Sequence, residues 1–162
     1  MKTRKLLLLA LVPGLWGWLC NRLVAMLYTD GHYILLILVY YLLQAPAAIV
    51  FCLWLGRRCG RSERRYPACL LLAQWPSLVS FALYVWQFWI VSDEARNSLL
   101  ALLGQAPSIP LTHIATCLVL PFSGDFWLQA DSTAVAALSL LMLAALFSLG
   151  FLWGRRSRPS AA

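Results

Sequence analysis

Residues 34–67 read ILLILVYYLLQAPAAIVFCLWLGRRCGRSERRYP: 22 uncharged residues, 34–55, followed by five arginines before Pro67. A helix rises 1.5 Å per residue, so about 20 apolar residues cross a hydrocarbon core roughly 30 Å thick. An apolar run of that length, ended by an arginine cluster, has the form of a membrane-spanning helix with its cytoplasmic flank. Three more runs, 6–27, 68–91 and 134–153, meet the same requirement. Hydrophobic residues make up 62% of the 162 residues and the mean hydropathy is +0.75, against roughly 45–50% apolar usage in soluble domains. A soluble chain of this size could not cover so much apolar surface, so lipid is its expected solvent. The expected fold class is all-α: a polytopic, single-domain bundle of four transmembrane helices.

The charges set an orientation. Lys2, Arg4 and Lys5 precede the first run, Arg57, Arg58, Arg61, Arg64 and Arg65 separate the second from the third, and Arg155, Arg156 and Arg158 follow the last. Five of the six acids, Asp30, Asp93, Glu94, Asp125 and Asp131, lie in the other two connections. Lysine and arginine near span ends are retained in the cytoplasm during insertion, which predicts a plasma (inner) membrane protein with both termini inside. The net charge of +7 is thereby an orientation signal, and no nucleic-acid partner is expected. Tyr28, Tyr33, Trp86, Trp89 and Trp127 fall near one interface and Trp54, Tyr66 and Trp153 near the other, as aromatic belts do. Met1-Lys-Thr-Arg-Lys5 before a leucine run has the look of a signal peptide, but no A-x-A-like site follows, so the first run is expected to be kept as an anchor.

Loop 56–67 is read as cytoplasmic and loop 92–133 as an irregular extracytoplasmic cap, with 154–162 as a cytoplasmic tail. Within the cap, Ser92-Asp93-Glu94 can start a short helix that Gly104 closes. Pro107, Pro110 and Pro121 bracket Leu111–Leu120, a run too short to cross. A fifth crossing would put the C-terminal arginines outside. A re-entrant or interfacial segment stays open, provided its backbone is shielded by protein or lines a wet cavity.

Inside the spans the most specific feature is a repeated Gln-x-Pro: Gln44-Ala45-Pro46 and Gln74-Trp75-Pro76, with Pro13-Gly14 at similar depth in the first span. Each proline frees the carbonyl four residues earlier, at Leu9, Leu42 and Leu72. A glutamine can glue such kinked helices together; the sharper reading is a small polar layer handling a substrate or ion. No carboxylate or lysine lies deep in a span, so an ion-coupled relay lacks its usual parts. At the outer end Arg22, Asp30, His32, His113 and Asp125 are the candidates for a vestibule. No metal-ligand spacing joins them, and neither a metal nor a cofactor is expected. Ala144-x-x-x-Ser148 in the fourth span is a small-xxx-small pair suited to close helix packing. Trp54-Leu-Gly-Arg-Arg58 and Trp153-Gly-Arg-Arg156 are alike, either as ordinary flanks or as a trace of duplication.

In length, number of spans, cytoplasmic termini and a long third connection the chain resembles the bacterial DsbB family of quinone-dependent thiol oxidases. That family's chemistry needs a Cys-x-x-Cys in the first outer loop and a cysteine pair in the long one. Here the first loop has no cysteine and the long one only Cys117, whereas exchange needs both an attacking and a resolving thiol. Cys20, Cys52, Cys59, Cys69 and Cys117 are expected to be free. No catalytic residue is assigned. The expected function is binding, as an accessory or regulatory subunit of a membrane assembly or an immunity-type protective factor, with lipid and a membrane-protein partner or a second copy as contacts. A small oligomeric transporter or channel is the alternative. A membrane enzyme using His113 with Asp125 comes third.

Overall fold

In lipid every backbone polar group has to be satisfied within the chain, which favours continuous helix wherever apolar residues run on. A computed structural model of the chain describes residues 3–29, 31–62, 65–122 and 132–157. The helices are α1 (Thr3–Leu9), α2 (Val12–Thr29), α3 (Tyr33–Leu38), α4 (Ala45–Gly60), α5 (Tyr66–Val85), α6 (Ser98–Gln105), α7 (Ile109–Val119) and α8 (Ser132–Arg156). π-turns at Val39–Gln44 and Trp86–Ile90 continue α3 into α4 and extend α5. No strand occurs among the described residues. Four runs, Thr3–Thr29, Ile34–Gly60, Tyr66–Ile90 and Thr133–Arg156, are long and apolar enough to cross a membrane.

Helix outlasts hydropathy at the arginine-rich end. The second run continues to Gly60 instead of stopping at 55, the fourth to Arg156 instead of 153, and the third starts at Tyr66 instead of 68. Charge ends an apolar window, but an arginine can stay in a helix with its guanidinium reaching out of the apolar zone. The expected loop 56–67 thereby loses 56–60 to α4 and 66–67 to α5.

The three span prolines act differently. At Pro13 the helix breaks: Leu11 N–H donates to Leu8 instead of Leu7, and the indole of Trp75 donates to the Leu7 carbonyl at 3.4 Å. Pro46 follows the π-turn, and the indole of Trp16 donates to the Gln44 carbonyl at 3.3 Å. Pro76 is carried inside α5.

Packing is inverted relative to a soluble bundle. Ile34, Leu42, Met26 and Val50 face out, while the buried face of α4 is Ala45, Ala48, Cys52, Leu55, Gly56, Cys59 and Gly60. Small residues let backbones approach where lipid is as apolar as any side chain. α4 and α8 share the largest contact of the bundle. Both run toward the arginine-rich end, so the pair is parallel. A Cβ added at Gly56 or Gly60 would overlap the carbonyl oxygens of Phe147 or Phe151; one at Gly150 or Gly154 would overlap those of Leu53 or Arg57. Two interlocked Gly-x-x-x-Gly segments, 56–60 and 150–154, thus form the crossing. Ala144 and Ser148 lie beside this face, and Ser148 instead meets the Tyr66 hydroxyl at 2.7 Å.

Segment 92–122 is a bent pair of helices instead of an irregular cap. It begins at the arginine-poor end, where the fully buried Gln87 accepts the N–H of Asn97 at 2.9 Å and its carbonyl accepts Arg96 Nε at 3.1 Å. Ser92-Asp93-Glu94 starts only the single 3-10 turn Asp93–Ala95, and it is Asn97 that caps α6 by accepting from Leu99 and Leu100 at 3.0 and 3.2 Å. Gly104 is the penultimate residue of α6, one position before its last, and seats it on the backbone of Tyr84. Ser80 donates to the Leu103 carbonyl at 2.8 Å. The turn Ala106-Pro107-Ser108 then reaches Gly14 in the middle of the first span, and Gly17 faces Ile109 and Pro110. α7 leaves at 74° to α6 and passes Tyr40 and Tyr41 on the way back. The pair therefore enters the bundle and returns to the same half. Replacing Asn97 with alanine is expected to lower stability by about 1 kcal/mol, measured by denaturant unfolding in mild detergent.

Candidate functional site

The re-entrant pair carries polar residues at helical spacing. Ser108, Thr112 and Thr116 recur every fourth residue and so share one face, with His113 next to it. Ser108 Oγ donates to the Gln105 carbonyl at 2.7 Å and Thr112 Oγ1 to the Ser108 carbonyl at 2.9 Å. With their hydrogens committed to backbone, both hydroxyls present lone pairs outward as acceptors.

That face borders a cavity of about 480 Å³. Each span contributes to its wall: Asn21 from the first, Tyr40 from the second, Tyr84 from the third, Val135 and Ala136 from the fourth; the re-entrant pair adds Gln105, Ser108, Ile109, Thr112, His113 and Thr116. Asn21, Tyr40 and Tyr84 lie six to eight residues from the arginine-poor ends of their spans, which is about 9–12 Å at helical rise. The His113 and Tyr40 rings are 3.5 Å apart between centroids, tilted by 42°. Eight of the wall residues hydrogen-bond through amide, hydroxyl or imidazole, and among the described residues no carboxylate, lysine or arginine lines it.

Closer to the arginine-rich end a much smaller cavity, about 20 Å³, lies between Pro13, Gln74, Ser77, Cys52 and Pro107. The re-entrant turn separates the two, contributing Ser108 to one and Pro107 to the other.

No protein family, curated protein or solved structure matches the chain. The site has to be read from its own chemistry.

The expected polar layer is split. Gln44 is fully buried and its Nε2 donates to the Ile109 carbonyl at 3.1 Å, which pins α7, while Gln44 Oε1 has no partner among the described residues. Gln74 is half-buried at the small cavity, together with Pro13. Pro76 is buried in α5 and Pro46 is half-buried in α4. Of the described residues of the outer vestibule, only His113 reaches the large cavity. Arg22 is exposed, 5.3 Å above the ring of Trp18 one turn earlier, and His32 is exposed; Asp30 and Asp125 lie outside the described residues. The His113–Asp125 pairing lies outside them for the same reason. All five cysteines are free thiols, four buried and Cys117 exposed. Asn21, Tyr84, Gln105, Ser108, Thr112 and Thr116 were not singled out by sequence. The i, i+4, i+8 hydroxyl stripe within an apolar stretch was the available signal for three of them.

Proposed function

We propose that the protein is a small multi-pass membrane protein that acts by binding, and that its site is the 480 Å³ cavity in the extracytoplasmic half of the bundle. The reading rests on one observation: eight hydrogen-bonding side chains converge on a space that apolar residues could have filled without penalty. Volumes of roughly 300–1,000 Å³ are those of small-molecule sites. With no charged wall residue among those described, a charged occupant would be desolvated there without a counterion, which favours a neutral, hydroxyl- or amide-bearing organic molecule as the ligand class. Tyr40, Tyr84 and His113 supply flat surfaces for its apolar part. The positive-inside pattern puts the cavity's end of the bundle outside the cytoplasm.

The test is retention. Protein purified in mild detergent is denatured and its released small molecules are identified by mass spectrometry, beside an Ala136→Phe variant whose ring fills the cavity from α8. A neutral polar species present in the parent and reduced about tenfold or more in a folded variant, a loss of about 1.4 kcal/mol, is the expected result. Equal contents in both would count against the reading.

A further inference from the structure

The crossing of α4 and α8 gathers charge as well as backbone. Because Gly56 and Gly60 interlock with Gly150 and Gly154, the arginines that end the two helices emerge together: Arg57 and Arg58 from one, Arg155 and Arg156 from the other. The Arg57 backbone lies against Gly154, and the Arg155 backbone against Gly60. Arg57 also crosses between helices, its guanidinium carbon 4.2 Å from the ring centroid of Trp153. Arg58 lies 5.3 Å above Trp54 of its own helix. Arg57 Nε is buried and has no hydrogen-bond acceptor among the described residues. Glu63, the one acid on this side of the sequence, lies outside them.

A guanidinium resting over an indole keeps its charge at a fixed place on the neighbouring helix, and its planar fork of N–H donors can grip a phosphate by two at once. Orientation signalling alone needs charge at this end; it does not need one arginine half-buried on a neighbouring helix's tryptophan. We propose that this crossing binds the phosphodiester of an anionic phospholipid, with Arg57 as the principal ligand and Arg155 flanking it. The lipid source is favoured over free phosphate by position: Trp54 and Trp153 are both exposed beside the arginines, at the level where indoles meet headgroups, and acyl chains would continue down the exposed leucines Leu149 and Leu152 of α8. The inference rests on the membrane reading and is independent of the cavity.

The test uses the full chain in nanodiscs of phosphatidylcholine alone or mixed with phosphatidylglycerol, with retained lipids counted by native mass spectrometry after transfer to detergent. The expected result is retention of phosphatidylglycerol about tenfold over phosphatidylcholine. Arg57→Gln should abolish that preference, Arg57→Lys should weaken it by removing the planar fork while keeping the charge, and Arg65→Gln, at an exposed site that belongs to neither α4 nor α8, should leave it within about twofold. Should Arg57→Gln fail to fold, the Lys variant decides. Equal retention of the two lipids, or Arg57 variants that behave like Arg65→Gln, would overturn the proposal. So would displacement of the lipid by excess inorganic phosphate, which would make free phosphate the ligand. A chain that stays soluble without detergent would instead remove the membrane reading beneath it.

Discussion

Gly56→Ala is expected to destabilise the bundle by about 3 kcal/mol, the upper end of what one added methyl does in a packed interior. The added Cβ would overlap the Phe147 carbonyl oxygen and come within 2.9 Å of the Phe151 nitrogen. Both are backbone atoms of α8, so no side-chain rotamer can relieve them and the helices have to separate. Separation also weakens the facing glycine contacts at Gly150 and Gly154, where Cα–H groups sit on carbonyl oxygens at about 0.5–1 kcal/mol each. Alanine's better helix propensity returns at most about 1 kcal/mol. Gly60→Ala should behave alike, and the double variant should cost less than the two singles together, because one separation relieves both. Gly14→Ala is the control: its Cβ would meet Ala106 and Pro107 at 3.8 Å, an ordinary contact, and stability should change by less than about 0.5 kcal/mol. Unfolding in mild detergent, followed by circular dichroism, gives all four values. A Gly56→Ala protein as stable as Gly14→Ala would mean that α4 and α8 do not cross at these glycines.

The spans were legible because hydropathy adds residue by residue and needs no partner. Their ends were not, because each depends on a contact between distant segments. Gly56 and Gly60 flank Arg57 and Arg58, and read singly they look like part of a charged flank; only beside Gly150 and Gly154 do they become a crossing. Ala144 and Ser148 have the same spacing and were the more conspicuous pair, yet they lie one face away. Gln44 was recognisable as a buried amide. Its partner was not, since the Ile109 carbonyl is backbone and every residue carries one. Gln87 escaped notice for a related reason: it sits among belt aromatics, and its partners are a main-chain N–H and an arginine that reaches its carbonyl. The segment after the third span was readable only as too short to cross. That it turns inside the bundle follows from Gly14, Gly17 and Gly104, which carry no pattern of their own.

Gly17→Leu is expected to unseat the re-entrant pair. The pair is held by Ser80 and the Tyr84 backbone on one side, by Gln44 on a second and by Gly17 on a third, where an added Cβ would lie 2.9 Å from Pro110 Cδ and 3.1 Å from Ile109 Cβ. A leucine there needs the start of α7 to move out, which should cost about 2–3 kcal/mol and open the cavity wall. Cys20 lies one turn further along α2 and is buried, so its maleimide labelling should rise by about tenfold or more, as a local opening made about 1.4 kcal/mol easier would allow. Cys117 is already exposed and provides the internal reference. Gln44→Leu should be much milder. It removes one neutral hydrogen bond worth about 1 kcal/mol, but it also removes the buried Oε1, whose lack of a partner costs a comparable amount; the two nearly offset. The ranking separates two architectures. If α6 and α7 lay on the membrane surface, neither substitution would touch them, and Cys20 would label alike in Gly17→Leu and the parent. If they turn within the bundle, Gly17→Leu alone should expose Cys20 and empty the cavity of whatever the parent retains.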